Sequence, residues 1–236
     1  MCFTVSIYAQ THSIEPDLGA QFEHEQDYRP YFHVSGFVHP CLPLLTSEEP
    51  KQIQLCEWGL IPRWTKSVDA SIEIRRMTLN ARRETIFEKP SFRDAVKKRR
   101  ALLPVNGFIE WRHDGSEKQP HFVRAADGSM LTLGCIWEDW TDPDSGELHR
   151  TFSIVTTDAN ELMSYVHNSK QRMPVIIPKL DRTTWLYADD RERIEPCMRP
   201  LEDGILEAFP ITREVSMIKV NTTEEELLEP VGPIHT

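Results

Sequence analysis

No apolar run in this 236-residue chain approaches the ~18 residues a membrane-spanning helix needs, so no membrane association is expected. The apolar residues 3–9 follow no basic segment, and no signal peptide is expected either. The five cysteines (Cys2, Cys41, Cys56, Cys135 and Cys197) are odd in number, scattered and without a C-x-x-C pair. They read as reduced thiols in a cytoplasmic protein, without a disulfide framework or zinc site. The nine histidines show no H-x-x-x-H or similar spacing, so neither a metal nor an organic cofactor is expected. Internal repeats, low-complexity tracts and linkers are missing as well, and the chain reads as a single domain over residues 1–236.

What is present suffices for a core: 39% apolar residues, six Trp and ten Phe, too many for a disordered chain. The net charge of −10 argues against a nucleic-acid partner, but its distribution argues for one. Residues 75–100 hold ten basic and three acidic side chains, a local +7 that leaves −17 elsewhere. A concentrated basic patch on an acidic body can receive a polyanion. For Lys97–Arg100 taken alone, a solvated helix face is the plainer reading.

The first two residues carry the sharpest chemistry. An initiator Met followed by a small residue is commonly trimmed, which would leave Cys2 with a free amine and a thiol on adjacent carbons. An α-amine titrates at about 7.7–8.0 and a thiol at about 8.5, so both nucleophiles are partly available near neutral pH. Such a group can hydrolyse an amide, or capture an aldehyde as an imine closed by sulfur into a thiazolidine. A cysteine that merely happens to be second is the commoner reading of the dipeptide by itself.

Along the chain, residues 3–9 alternate as a strand that would hold Cys2 in a sheet. A short helix is expected around 16–22, and short strands at 31–38, 41–45 and 52–57. Trp58-Gly-Leu-Ile-Pro-Arg-Trp64 is a turn, marked by its Gly and Pro. Its two Trp suit base stacking if exposed, and loop anchoring if buried. A helix is predicted over 69–77, after which Asn80 and Arg82, if extended, face one side. An amide and a guanidinium so placed suit a sugar hydroxyl and a phosphate. Ser91 fits an N-cap for a helix reaching about Lys98, and Asn106-Gly107 is a turn signal between strands at 101–104 and 107–112.

Within the second of these strands, Glu110 shares a face with Phe108. Burial there would raise its pKa toward neutrality, which is how a general acid or base is made; an outward-facing glutamate is the bland alternative. A hairpin tip at 113–116 and strands at 119–124, 131–138 and 149–156 suggest an antiparallel meander. A helix over 160–166 delivers His167 into a polar loop, where an imidazole can shuttle protons. Helices at 180–187 and 191–198 and strands at 206–210 and 217–220 complete the chain.

Taken together, Met1-Cys2, Trp58-Gly-Leu-Ile-Pro-x-Trp64, Asn80-Ala-Arg-x-Glu-Thr85, Arg100-Ala-Leu-Leu-Pro-x-x-Gly-Phe-x-Glu-Trp111, and His167 with Arg172-Met-Pro-Val resemble the SOS response-associated peptidase (SRAP) family. A weaker match follows in Ile211-Thr-Arg-Glu-Val, Val220-Asn and Leu228-Glu-Pro-Val231. The resemblance implies an α+β fold with an antiparallel-rich, barrel-like β core flanked by helices. It implies self-catalysed removal of Met1, then covalent capture of abasic sites in single-stranded DNA by Cys2, in a monomeric cytoplasmic protein that joins the nucleoid when bound to DNA. By the same matches Cys2, Asn80, Glu110 and His167 would be catalytic, and Trp58, Trp64, Arg82, Thr156 and Arg172 would face DNA. Two departures stand out. The family's Cys-Gly-Arg start is Cys2-Phe3-Thr4 here, without the phosphate-contacting Arg, and its Asn-x-Ala-Pro segment is only distantly echoed in His33-Val-Ser-Gly36. A non-catalytic DNA-binding relative and a different N-terminal-nucleophile amidohydrolase are the alternative readings.

Overall fold

The computed structural model describes residues 2–217 and 222–236. In chain order its strands are β1 Thr4–Ile7, β2 Gln21–Phe22, β3 Tyr31–Ser35, β4 Cys41–Thr46, β5 Gln52–Trp58, β6 Asn80–Arg82, β7 Arg100–Val105, β8 Gly107–Asp114, β9 Glu117–Ala125, β10 Leu131–Thr141, β11 Leu148–Asp158, β12 Arg172–Pro174 and β13 Leu206–Pro210. The α-helices are α1 Thr11–Leu18, α2 Val68–Met77, α3 Ala95–Lys98, α4 Glu161–Val166, α5 Arg182–Tyr187 and α6 Arg191–Ile194. The strand expected over 217–220 lies, beyond Met217, outside the described residues.

Two sheets form the core. In one, β11, β10, β7, β4 and β5 are neighbours in that order, and β5 returns to β11 through the parallel pairs Thr151↔Glu57 and Phe152↔Trp58. The ring is a closed five-strand barrel, which leaves no unpaired edge within it. The other sheet runs β13-β9-β8-β1-β3. The expected α+β fold with a barrel-like core and flanking helices is the one observed.

Asn106 is where the chain passes from barrel to sheet. Asn106-Gly107 reads locally as a hairpin turn, yet β7 pairs with β10 and β4, while β8 pairs with β9 and β1. The Asn106 side-chain oxygen instead accepts the backbone N–H groups of Tyr8 and Ala9, both at 2.8 Å. A distant segment uses the side chain that a local rule assigns to a turn. The expected meander breaks for the same reason, because β9 and β10 lie in different sheets.

The alternation read over residues 3–9 does not separate a wet face from a dry one. All four residues of β1 are buried, since β3 and β8 flank it and the barrel covers its other face. Gly107 sits opposite Ser6 on the β1–β8 seam. A Cβ there would stand 2.5 Å from the Phe122 ring and 2.5 Å from the Val123 carbonyl oxygen. Backbone cannot yield as a side chain tip can, so Gly107→Ala should destabilise the protein by about 3 kcal/mol or more. An unchanged urea midpoint would refute this account of the seam.

The helix expected from Ser91 starts later, at Ala95, and no side-chain hydrogen bond caps it. The basic stretch 75–100 is not one patch. Arg75 pairs with Glu57 at 2.7 Å and Arg99 with Glu138 at 2.7 Å. Arg100 is buried, its guanidinium donating to the carbonyls of Val96, Trp185, Leu186 and Ala188. Burial lowers its pKa to about 10. Part of what composition presents as a DNA-facing charge cluster is the fold's own internal wiring.

Candidate active site

A cavity of about 850 Å³ is lined by Phe3, Arg82, Glu110, Trp111, His113, Lys118, His167, Lys170, Arg172, Arg213 and Ser216. Three pieces of backbone meet there. The segment leading into β1 brings Phe3 to the lining with Cys2 buried next to it, β8 brings Glu110, and the residue after α4 is His167. Helix α4 begins where the Asn160 side chain accepts from the Met163 N–H at 3.0 Å, a conventional N-cap. The loop after it is tied to β8 by a reciprocal pair: Asn168 accepts from the His113 N–H at 2.9 Å and donates to the His113 carbonyl at 2.8 Å. That clamp holds His167 against Glu110, with 4.0 Å between His167 Nε2 and Glu110 Oε2.

Glu110 is 3% exposed and His167 6%, and both are shifted toward their neutral forms. Burial raises Glu110 to about 7, against the opposing positive charge at the start of the chain. Burial lowers His167 to about 4, and that same charge adds to the shift. With His167 neutral, Nδ1–H donates to the Arg172 carbonyl at 2.9 Å. This tautomer leaves the Nε2 lone pair facing Glu110. A carboxyl near neutrality beside an accepting imidazole can pass a proton in either direction.

Cys2 is fully buried. Asn80 Nδ2 donates to its carbonyl oxygen at 2.9 Å, and its thiol points to the Thr4 carbonyl at 3.8 Å. Burial and then the Glu110 charge push the thiol far above its ordinary pKa, so the sulfur is held protonated. Asn80 itself is positioned by β6, which pairs in parallel with β11 through Ile154↔Asn80 and Thr156↔Arg82. The Asn80 side-chain oxygen is buried and has no hydrogen-bond partner among the described residues. Cys2, Asn80, Glu110 and His167, proposed together from sequence, are therefore neighbours.

The residues expected to face DNA divide. Arg82 lines the cavity with its side chain 58% exposed, 3.9 Å from Glu84. Arg172 also lines it, but its guanidinium turns inward to Glu84, to Asp158 at 2.8 Å and to the Thr156 carbonyl at 2.9 Å. Burial alone would raise the Glu84 carboxyl; the Arg172 contacts outweigh it and hold the group below its ordinary value. Thr156 is fully buried, part of the wall behind Arg172 rather than its surface. Trp64 is 51% exposed, with its indole N–H 3.5 Å from the Pro90 carbonyl. Trp58 has no exposed surface: it stacks on Phe152 at 6.1 Å and donates to the Leu79 carbonyl. Of the two Trp, Trp58 anchors the loop and has no face to offer a base.

Sequence reasoning passed over much of the cavity rim. Lys118 and Lys170 are single lysines in polar stretches and carry no local signal. Arg213, held by Glu117 at 2.6 Å, falls within the weak match Ile211-Thr-Arg-Glu-Val, which was its one available sign. Trp111 was visible in the Gly107–Trp111 motif; its indole donates to Ser216 Oγ at 2.9 Å and so ties the 213–217 turn to the cavity. Among the described residues no three His, Cys, Asp or Glu side chains converge as metal ligands would, and no helix is long and apolar enough to cross a membrane.

Comparison with known proteins places the chain in a family. "Abasic site processing protein YoqW" of Bacillus subtilis is 28% identical over 228 residues, spanning 95% of this chain and 98% of its own. "Abasic site processing protein HMCES" of Gallus gallus is 30% identical over 190 residues, 71% of this chain and 54% of its own. A crystal structure of a Bacteroides thetaiotaomicron protein superposes with a TM-score of 0.92 at 34% identity, covering 98% of this chain and all of that one. Residues 1–218 match the family described as SOS response associated peptidase (SRAP), and the chain belongs to that family.

Proposed function

We propose that this protein processes abasic sites in single-stranded DNA, first losing Met1 and then trapping the damaged sugar through Cys2. The observation that carries the reading is the meeting of Cys2, Asn80, Glu110 and His167 beside a cavity rimmed by cationic side chains. The relatives' names, abasic site processing proteins, support the reading.

Cleavage of the Met1–Cys2 peptide bond by water needs a base to take the water proton and an acid to return one to the leaving amine. Glu110, with a pKa near 7, can do both in turn. The freed amine then adds to the C1′ aldehyde of the ring-opened sugar. Protonated Glu110 gives its proton to the resulting hydroxyl, which departs as water and leaves an iminium. The iminium nitrogen returns its proton to the Glu110 carboxylate, which resets the carboxyl and leaves an imine. The thiol adds across the C=N bond, sulfur to carbon and proton to nitrogen, closing a five-membered ring; one water is lost overall. A thiol that burial keeps protonated brings that proton with it. His167 Nε2, 4.0 Å from Glu110, turns its lone pair toward that carboxyl. Arg82, Lys118 and Lys170 supply charge for flanking phosphates.

Incubation with a single-stranded oligonucleotide carrying one abasic site should give an adduct that survives denaturation. A complex that only salt disrupts would identify a non-covalent DNA-binding relative instead. The rate of adduct formation should pass through a maximum between pH 6 and 9. The amine must be deprotonated, which favours high pH, while Glu110 must keep its proton, which is lost as pH rises through about 7. Glu110→Gln, freed of Met1 by an added aminopeptidase, has no proton to lose, so its slower reaction should lack the descending limb; the same limb in that variant would refute Glu110 as the acid.

A further inference from the structure

The cavity wall at Phe3 continues into an aromatic pair that the chemistry above does not use. Phe3, next to Cys2, is half-buried and lines the cavity. The ring of Phe37 lies 5.0 Å from it, centroid to centroid, at an interplanar angle of 33°. Phe37 is 65% exposed, an unusual position for a large apolar ring with so little local cover. Its backbone is fixed: Gly36 N–H donates to the Phe3 carbonyl at 2.8 Å, Ser35 pairs with Thr4 across β1 and β3, and the Ser35 hydroxyl accepts from the Phe37 N–H at 3.4 Å. Gly36 is pressed against Trp58, whose ring would stand 3.1 Å from an added Cβ. The buried Trp58 is thus the floor that sets Phe37 at the surface, continuing the Phe3 wall outward.

We infer that Phe3 and Phe37 form a stacking platform for an unpaired nucleobase adjoining the lesion. The identity of the strand rests on the abasic-site reading; the platform itself rests on the geometry. A base has two π faces and no need of a specific partner edge, and base–aromatic stacking is sequence-tolerant. The occupant is further specified by charge, because the cavity that Phe3 lines also presents Arg82, Lys118 and Lys170. Such a rim favours a polyanion over an apolar peptide, and a strand held there by its phosphates brings its bases alongside. In this chain the residues after Cys2 are Phe3-Thr4, without an arginine, so stacking takes over some of the hold a guanidinium would provide.

The test compares two fluorescent single-stranded oligonucleotides by anisotropy. In one, a single tetrahydrofuran residue, an unreactive abasic analogue, is flanked by thymines. In the other, both flanking nucleotides are tetrahydrofuran as well, so no base adjoins the lesion. The unaltered protein should bind the first more tightly. Phe37→Ala should weaken that binding by about five- to a hundredfold and leave the second unchanged, while Phe37→Tyr keeps the preference. Because Phe37 is exposed, the alanine variant should unfold at the same temperature as the unaltered protein. Equal affinity of the unaltered protein for the two probes, binding to neither, or an equal loss on both in Phe37→Ala would overturn the platform. Base-dependent binding with no covalent adduct on a true abasic oligonucleotide would support the platform and overturn the covalent reading.

Discussion

Cys2→Ala should form no denaturation-resistant adduct with an abasic oligonucleotide. Alanine keeps the amine once residue 1 is gone but has no sulfur to close the ring, so the reaction stops at the imine. An imine at C1′ acidifies the neighbouring C2′ proton and opens β-elimination of the 3′ phosphate. The variant should therefore cut the strand slowly where the unaltered protein shields it, and borohydride should trap the imine as a stable secondary amine. Binding to an unreactive abasic analogue should change little, because the side chain is fully buried and contributes no surface to the cavity. A full yield of stable adduct from Cys2→Ala would place the linkage on another nucleophile and end the proposal.

Once an added aminopeptidase has removed Met1, Glu110→Gln should form the adduct more slowly by on the order of a hundredfold or more, the range expected when a general acid or base is lost. Folding should survive the change. Burial already raises Glu110 to about 7, so its protonated form is well populated at neutral pH, and glutamine is close to that form in shape and charge. The same variant should keep Met1, read from the mass of the intact protein. Retention of Met1, together with slow capture after an added aminopeptidase has removed it, would tie both steps to one carboxyl. Normal capture after removal of Met1 by an added aminopeptidase would confine Glu110 to processing.

The residues of the proposed site were legible in the sequence to different degrees. Glu110 was readable because a carboxyl between Ile109 and Trp111, on the face of Phe108, has few comfortable places in a strand, and β8 indeed buries it. His167 was readable from the helix that ends just before it, although the Asn168–His113 clamp that turns it toward Glu110 is a contact over 55 positions. Long-range register explains the failures. Asn106 has a hairpin signature, but its side chain receives Tyr8 and Ala9. Arg100 belongs to a cationic run, but α5 and the segment after it turn carbonyls onto it. Nothing local distinguishes Trp58 from Trp64; only the closing of β5 onto β11 puts one inside and leaves the other out. Burial of a polar or aromatic group is decided by which distant strand arrives beside it, and a single sequence does not encode that locally.

One measurement bears most directly on the whole account: the intact mass of the unaltered protein after reaction with an abasic oligonucleotide, followed by digestion to locate the linkage. The expected product has the mass of the chain without Met1, plus the oligonucleotide, less one water, with the bond at Cys2. An adduct that retains Met1, a linkage at a lysine, or no covalent product at all would contradict it.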